Sequence, residues 1–401
     1  MEGVFPHFTN GDVTISIGQD IYRLHANRLG SKSLALRSLI EQAGSSGSIH
    51  LELIEAGDRY QYGRLVVQSN NTESHEWSQE IHAVWKNMFS TFYGLVLNLE
   101  SQGEDSITEH CWGLADVAEQ LQMKSLLVFS MNIAFAAIGE RLFILIAADP
   151  ISWINVARRV RHVWIFKEAL IHIVGNWNEW EEIDMDSLNF DVRDLCEEVH
   201  HGLQRQKAMV DRRLVNFFPG TFTNPATNQI ESLYANDTHM WIAVTLYRQW
   251  LLHQMTGNTH LEHPDSGASF YRSVAAGGPM QSDNNVNSFD LPIPFPAAEA
   301  DINTIKRRLA QLSEEYAGLV KHLVANNSEY DVAVYGELPY LTCCTINDDD
   351  CPWYVKRDES ESSLDLSEFD GKNLEQYMVE RVNHLLGVLT NAASEDTQME
   401  E

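Results

Sequence analysis

Few residues in this chain are of a type that carries chemistry, and their spacings are incomplete. His75-Glu76-Trp77-Ser78-Gln79 opens like the His-Glu-x-x-His metalloprotease signature. Gln79 replaces the second imidazole, however, so a zinc ligand is missing. Gly30-Ser31-Lys32-Ser33 and Gly371-Lys372-Asn373 lack the paired glycines with which a phosphate loop cradles a triphosphate. Cys343, Cys344 and Cys351 gather three thiols without a Cys-x2-Cys spacing, so a soft metal would need a fourth ligand from elsewhere. His253, His260 and His263 fall in a Gly- and Asn-rich stretch and read as solvated. Asp184-Met185-Asp186 and Asp348-Asp349-Asp350 have the carboxylates that Mg²⁺ uses. In a chain with 57 acidic residues such runs are ordinary solvated surface. The densest basic spots are Arg158-Arg159 with Arg161, and Lys306-Arg307-Arg308. Each is flanked by apolar residues at helical spacing, where pairing with nearby acids is the expectation. These readings predict no catalytic residue, no metal and no cofactor, and the chain is not expected to be an enzyme.

Charge narrows the partners. The 401 residues hold 57 Asp and Glu against 28 Lys and Arg, a formal charge of −29. That balance disfavours direct binding to nucleic acid or to an anionic membrane. The excess is uneven, since Asp348 to Glu401 alone carries 15 acids and 4 basic residues, a net −11. Ser360, Ser362, Ser363 and Ser367 lie among these acids, where phosphorylation would add charge. No basic residue precedes Arg23 and no apolar run opens the chain, so a signal peptide is not expected. The most apolar stretch, Ser125 to Ala148, is cut by Gly139-Glu140-Arg141, leaving pieces shorter than the ~20 residues a bilayer span needs. Five scattered cysteines suit a reducing compartment, so the expected location is cytoplasmic or nuclear, not secreted.

The elements follow from periodicity. Asp12 to Gly18 alternates apolar and polar residues as a half-buried strand does, and Ile21 to His25 reads as its hairpin partner. Ser33 to Ile40 has helical spacing with Ser33 as N-cap, and Ile49, Leu51 and Leu53 alternate as a third strand. Residues 54–82 read as an inserted surface loop. Helices are predicted from Val84 to Leu99, at 107–122 and at 124–138, and then through 150–175, 190–217 and 228–254. Residues 255–300, rich in Pro, Gly, Asn and Ser, read as a linker or loop. A helix is predicted from Ala298 to Ala325, then a short strand-rich acidic segment, a last helix at 372–390 and a frayed acidic tail at 391–401. The fold class is an α+β N-terminal unit, a three-strand sheet edge with helices over 1–138, followed by a mostly α-helical domain at 139–254 and C-terminal helices within 301–390.

The first 138 residues resemble a BTB/POZ domain. The resemblance rests on Asp12-Val13 at the first strand, on His25, Leu29 and Ser33 in the order His-x3-Leu-x3-Ser with Leu39 beyond, and on Leu114-Ala115-Asp116-Val117-Ala118-Glu119-Gln120-Leu121 followed by Ser125-Leu126. The remainder is similar to the long C-terminal region of filamentous-fungal BTB proteins, through Ala169 to Trp177, Tyr340 to Cys343 and Pro352-Trp353. The resemblance implies a protein–protein interaction module that self-associates as a homodimer, or an adaptor in a cullin-type ubiquitin ligase. Two features depart from it. Eleven residues precede Asp12, too few for the extra strand and helix of domain-swapped homodimers. Gly44-Ser45-Ser46-Gly47 stands where cullin-binding members carry a hydrophobic-x-Glu signature.

Two interaction surfaces are expected. The first is formed by Asp12, His25, Leu29, Ser33, Leu36, Leu39 and Ile40. The second is a helix seam of Ile302, Ile305, Leu309, Leu312, Tyr316, Leu319 and Leu323 at alternating spacings of three and four, the stripe that two-helix packing uses. Packing within the chain, for instance against the last helix through Leu374, Tyr377, Met378, Val382, Leu385 and Leu389, is the expectation for it, with a partner helix as the alternative. The alternatives for function are a transcriptional co-regulator acting through a DNA-binding partner, and an enzyme whose site is built from scattered residues of the helical region.

Overall fold

The computed structural model describes residues 8–44, 48–52, 62–67, 78–99, 107–180, 182–217, 221–223, 230–232, 237–257, 265–280 and 299–354. All of the described residues belong to one compact unit, within Met1–Tyr354. The last predicted helix and the acidic tail lie outside the described residues, as does His75 to Trp77.

The N-terminal sheet forms as the alternation dictates. β1 (Val13–Ile17) buries Val13, Ile15 and Ile17 and leaves Thr14 and Ser16 half-buried. β2 (Asp20–Leu24) pairs with it antiparallel, Val13 opposite Leu24 and Ile17 opposite Asp20. α1 (Ala26–Lys32) and α2 (Leu34–Ala43) carry the chain over to β3 (Ser48–Glu52), which runs parallel to β1 with Ile15 opposite Ile49. β4 (Arg64–Val66) adds antiparallel to β3, giving the order β2-β1-β3-β4. The sheet thus has four strands rather than three. The fourth lies inside the stretch expected as a loop, because three residues are too few for alternation to show.

Helices follow. Ser78 accepts from the Ile81 amide (3.3 Å) to start α3 (Gln79–Tyr93), which stops at Gly94 in the left-handed region. α4 (Ile107–Gln120), α5 (Lys124–Ile138) and α6 (Arg141–Ala148) come next. α5 and α6 meet at 104°, and among the described residues no single helix is long and apolar enough to cross a membrane. Asp149 accepts from the Ser152 amide and Pro150 occupies the first turn of α7 (Pro150–Val160). α8 (Val163–Gly175) is buried without a break from Glu168 to Gly175. α9 (Glu182–Asp186) and the long α10 (Phe190–Asn216) lead to a short hairpin, β5 (Thr221–Thr223) and β6 (Ile230–Ser232). α11 (Thr238–Gly257), α12 (Ala268–Ala275), a 3-10 turn at Gly278–Met280, α13 (Glu299–Val320) and α14 (Val332–Tyr335) complete the unit.

Two segments differ from the sequence expectation here. The helix placed over 228–254 begins only at Thr238, behind β6. The stretch 255–300, expected as a loop, contains α12, whose Phe270, Tyr271 and Val274 are buried. Residues 258–264 and 281–298 of this stretch lie outside the described residues.

The basic spots are internal ties. Arg158 on α7 makes a two-pronged contact with Asp191 at 2.9–3.1 Å. Arg159 pairs with Asp116 on α4 and lies over the Trp112 ring at 4.7 Å, fastening α7 to the N-terminal unit.

Gly175 ends α8 where the segment after α14 crosses it. A Cβ there would collide with the Leu341 carbonyl oxygen and lie 2.7 Å from Tyr340 Cδ2. Gly175→Ala is expected to lower unfolding free energy by about 1–3 kcal/mol through overpacking against backbone. Urea unfolding of the variant would show this, and an unchanged midpoint would contradict the close approach.

Candidate functional site

α13 packs on α11, α12 and α10, and the contact is built from the predicted seam. Ile305, Leu309, Leu312, Tyr316 and Leu323 are buried, with Ile302 and Leu319 half-buried. Tyr316 stacks on Tyr247 of α11 with centroids 4.0 Å apart and meets Phe217 edge-on at 4.8 Å. Arg308 pairs with Asp237 (2.7 Å) at the start of α11, and Asp301 with His239 (3.0 Å). The seam is thus closed by α10, α11 and α12. The last helix, expected as its partner, lies outside the described residues. The outer side of α11 presents Trp241, 49% exposed, and Leu252, 53% exposed.

The predicted N-terminal surface divides. Leu29, Ser33 and Leu36 are buried, Leu39 and Ile40 half-buried, and Asp12 and His25 reach the surface. The first three belong to the core beneath the sheet and are not available to a partner. Asp12 Oδ1 accepts from the Ala26 amide (2.7 Å), and His25 meets the Tyr93 hydroxyl with both its amide (3.0 Å) and Nδ1 (3.2 Å). Ser33 caps α2 through the Leu36 amide and donates to the Leu121 carbonyl (2.6 Å). These are cap and turn duties that join β2, α1 and α2.

Two buried polar clusters were not signalled by any motif. On α8, Glu168 accepts from the Glu329 amide at 3.0 and 3.2 Å and contacts His172 Nε2 at 3.2 Å, while His172 Nδ1 meets the Tyr340 hydroxyl at 2.9 Å. Burial raises the Tyr340 phenol above its usual range, helped by Tyr330 and Glu168. On α10, Lys207 is fully enclosed (0% exposed), and its Nζ has no hydrogen-bond partner among the described residues. Burial pulls its ammonium below the usual lysine range, opposed by Asp211, Cys343, Asp265 and Cys344. A sequence signal for Lys207 existed: it occupies a position in the buried stripe Cys196, His200, Leu203, Lys207, Val210, Leu214. All five cysteines are free and buried, and among the described residues no three His, Cys, Asp or Glu side chains gather as a metal site.

Comparison with known proteins gives one match. A family model described as an FF domain matches residues 219–322, about a quarter of the chain, the span that holds β5, β6, α11, α12 and α13. No curated protein and no solved structure matches. The match overturns the expected BTB/POZ membership of residues 1–138, since the family found is the FF domain and no BTB/POZ model matches. The physical reason lies in the residues quoted for it. Asp12, His25 and Ser33 serve a strand–turn–helix junction, a local requirement that does not define a family. The BTB-type homodimer and the cullin adaptor rested on that resemblance and fall with it.

Two expectations follow from this geometry. Leu312 is fully buried in the seam, so Leu312→Ala is expected to cost about 2–5 kcal/mol, whereas Leu319→Ala, half-buried, costs less. Chemical denaturation of both variants tests this ranking. Burial holds His110, His162 and His200 down at about 4. The unfolded chain protonates these imidazoles near 6.5 and the folded chain only near 4, so unfolding takes up protons between those values. Stability is therefore complete above about pH 6.5 and falls as pH drops toward 4, with a slope near three protons. His110→Gln should reduce that slope by about one proton in urea midpoints measured from pH 7 to 4.5. A slope equal to that of the unsubstituted chain would mean that His110 titrates normally.

Proposed function

We propose that this protein is a non-enzymatic interaction protein that binds a protein partner through the α11–α13 layer. The observation that carries the reading is the FF-domain match over residues 219–322, which coincides with that packed layer. FF domains are protein-interaction modules. Two further features support it. The outer side of α11 exposes Trp241 and Leu252, and aromatic side chains are favoured anchors at interfaces. His75 to Gln79 lacks the second imidazole of a zinc site, and Gly30 to Ser33 lacks the paired glycines of a phosphate loop. A net −29 argues against nucleic acid or an anionic membrane as the ligand, and five free buried thiols suit a reducing cytoplasmic or nuclear compartment.

The test is capture by the immobilised full-length chain from an extract of its source cells, quantified by mass spectrometry. One or a few proteins should be retained by the unsubstituted chain. The double variant Trp241→Ala, Leu252→Ala should retain them at least about tenfold less, while Phe190→Ala, a similarly exposed side chain on α10, should retain them normally. Equal retention by all three chains would remove α11 as the binding face.

A further inference from the structure

Charge is distributed unevenly along the outer face of α10. The inner stripe of this helix, from Cys196 to Leu214, is buried, and the helix packs on α8 and α13. On the opposite side Asp194, Glu198, His201, Arg205, Met209 and Arg212 follow at spacings of four, three, four, four and three, which keeps them on one face. All six are exposed, Met209 to 55%. The first half of this stripe is acidic and the second half basic. Among the described residues the side chains of Asp194, Glu198, Arg205 and Arg212 make no ion pair, unlike Asp191, Arg193 and Glu197 on the same helix. Nor can they reach one another within one chain. Helical ion pairs join residues three or four apart, whereas Glu198 and Arg205 are about 10 Å apart along the axis and Asp194 and Arg212 about 27 Å.

Turned end over end, the stripe matches itself. When a second copy of α10 lies antiparallel, with the two-fold axis passing the helix at position 203, Asp194 and Arg212 stand equally far from that point on either side. Asp194 of each copy then meets Arg212 of the other. Glu198 comes opposite Met209 and within one turn of both Arg205 and Arg212, so its stem covers the thioether while its carboxylate reaches the guanidinium groups. Symmetry makes every pair occur twice, as in any isologous contact. An acidic partner would use the arginines and be repelled by Asp194 and Glu198, and a basic partner the reverse. A second copy uses both halves. The net −29 of each chain opposes the approach, but at ordinary salt charges more than about 8–10 Å apart are screened, and the facing pairs decide.

We propose that the outer stripe of α10 is a docking surface for a second copy of this chain, bound antiparallel about a two-fold axis through reciprocal Asp194–Arg212 contacts. The surface lies outside residues 219–322 and outside the N-terminal sheet, and it uses neither Trp241 nor Leu252. Self-association through α10 and capture of another protein by α11 therefore stand or fall separately.

The experiment follows the full-length chain by sedimentation velocity from about 1 to 100 µM in about 0.15 M salt. The unsubstituted chain should pass from monomer to dimer within that range. Arg212→Glu sets acid against acid and Asp194→Arg sets base against base, so each should weaken self-association at least about tenfold. The double variant Asp194→Arg, Arg212→Glu exchanges the charges and should restore it within about threefold. An equal mixture of the two single variants should form a mixed dimer, since each then supplies the charge that the other lacks. Both positions are exposed, and circular dichroism melting of each variant checks that it folds. A chain that stays monomeric at about 100 µM overturns the proposal and leaves the stripe to solvent or to another protein. A dimer indifferent to both single reversals, or folded single variants that do not associate when mixed, overturns it equally.

Discussion

An extended segment that crosses a helical core has no ladder to satisfy its backbone, so each buried carbonyl needs a donor from elsewhere. Residues 338–346 meet this requirement with the Arg272 guanidinium, which holds two carbonyls at once, and with Asn327, which holds three more, those of Thr342, Cys343 and Cys344. Charged donors make such bonds stronger than neutral ones. Much else depends on this strap. It brings Tyr340 to His172 and closes over the glycine at the end of α8. Without it, His172 would be a polar side chain on the inner face of α8 with nothing from this segment opposite it.

The α11–α13 layer rests on a different interaction. Tyr316 is fully enclosed between Tyr247 and Phe217, so the seam is anchored by stacked aromatic faces rather than by leucine packing alone. Aromatic pairs contribute about 0.5–1.5 kcal/mol beyond their buried area, and they fix the rotation of one helix about another. Arg308 with Asp237 and His239 with Asp301 then tie the start of α11 to α13. The side of α11 turned away from this seam exposes Trp241 and Leu252.

Periodicity made the regular elements legible. Val13, Ile15 and Ile17 announced β1, and Ile305, Leu309, Leu312 and Tyr316 announced the buried stripe of α13. Short elements escaped because periodicity needs length: β4, β5 and β6 have three residues each, and α12 has eight among glycines. The family assignment failed for another reason. Asp12, His25 and Ser33 occupy positions that any strand–turn–helix junction must fill, whereas the matched region, 219–322, was read partly as linker. The buried clusters were least visible, because Glu168 finds its partner at Glu329 and His172 at Tyr340, more than a hundred residues away. Lys207 alone carried a local sign, a cation inside an apolar stripe.

Charge bears on the kind of partner that α11 can meet. Arg158 with Asp191, Arg159 with Asp116, Arg193 with Asp186 and Glu197, and Arg308 with Asp237 bind cations within the chain itself. Each such pair removes one acid with one base, so pairing leaves the excess of −29 untouched, and it remains as unpaired carboxylate. The matched region shares this sign, with 10 acidic and 6 basic residues between 219 and 322, a net −4. A polyanionic partner approaching α11 would meet repulsion from the whole chain, screened only beyond about 8–10 Å at ordinary salt. Trp241 and Leu252 carry no charge, so in the proposed reading affinity on that face would come from apolar contact.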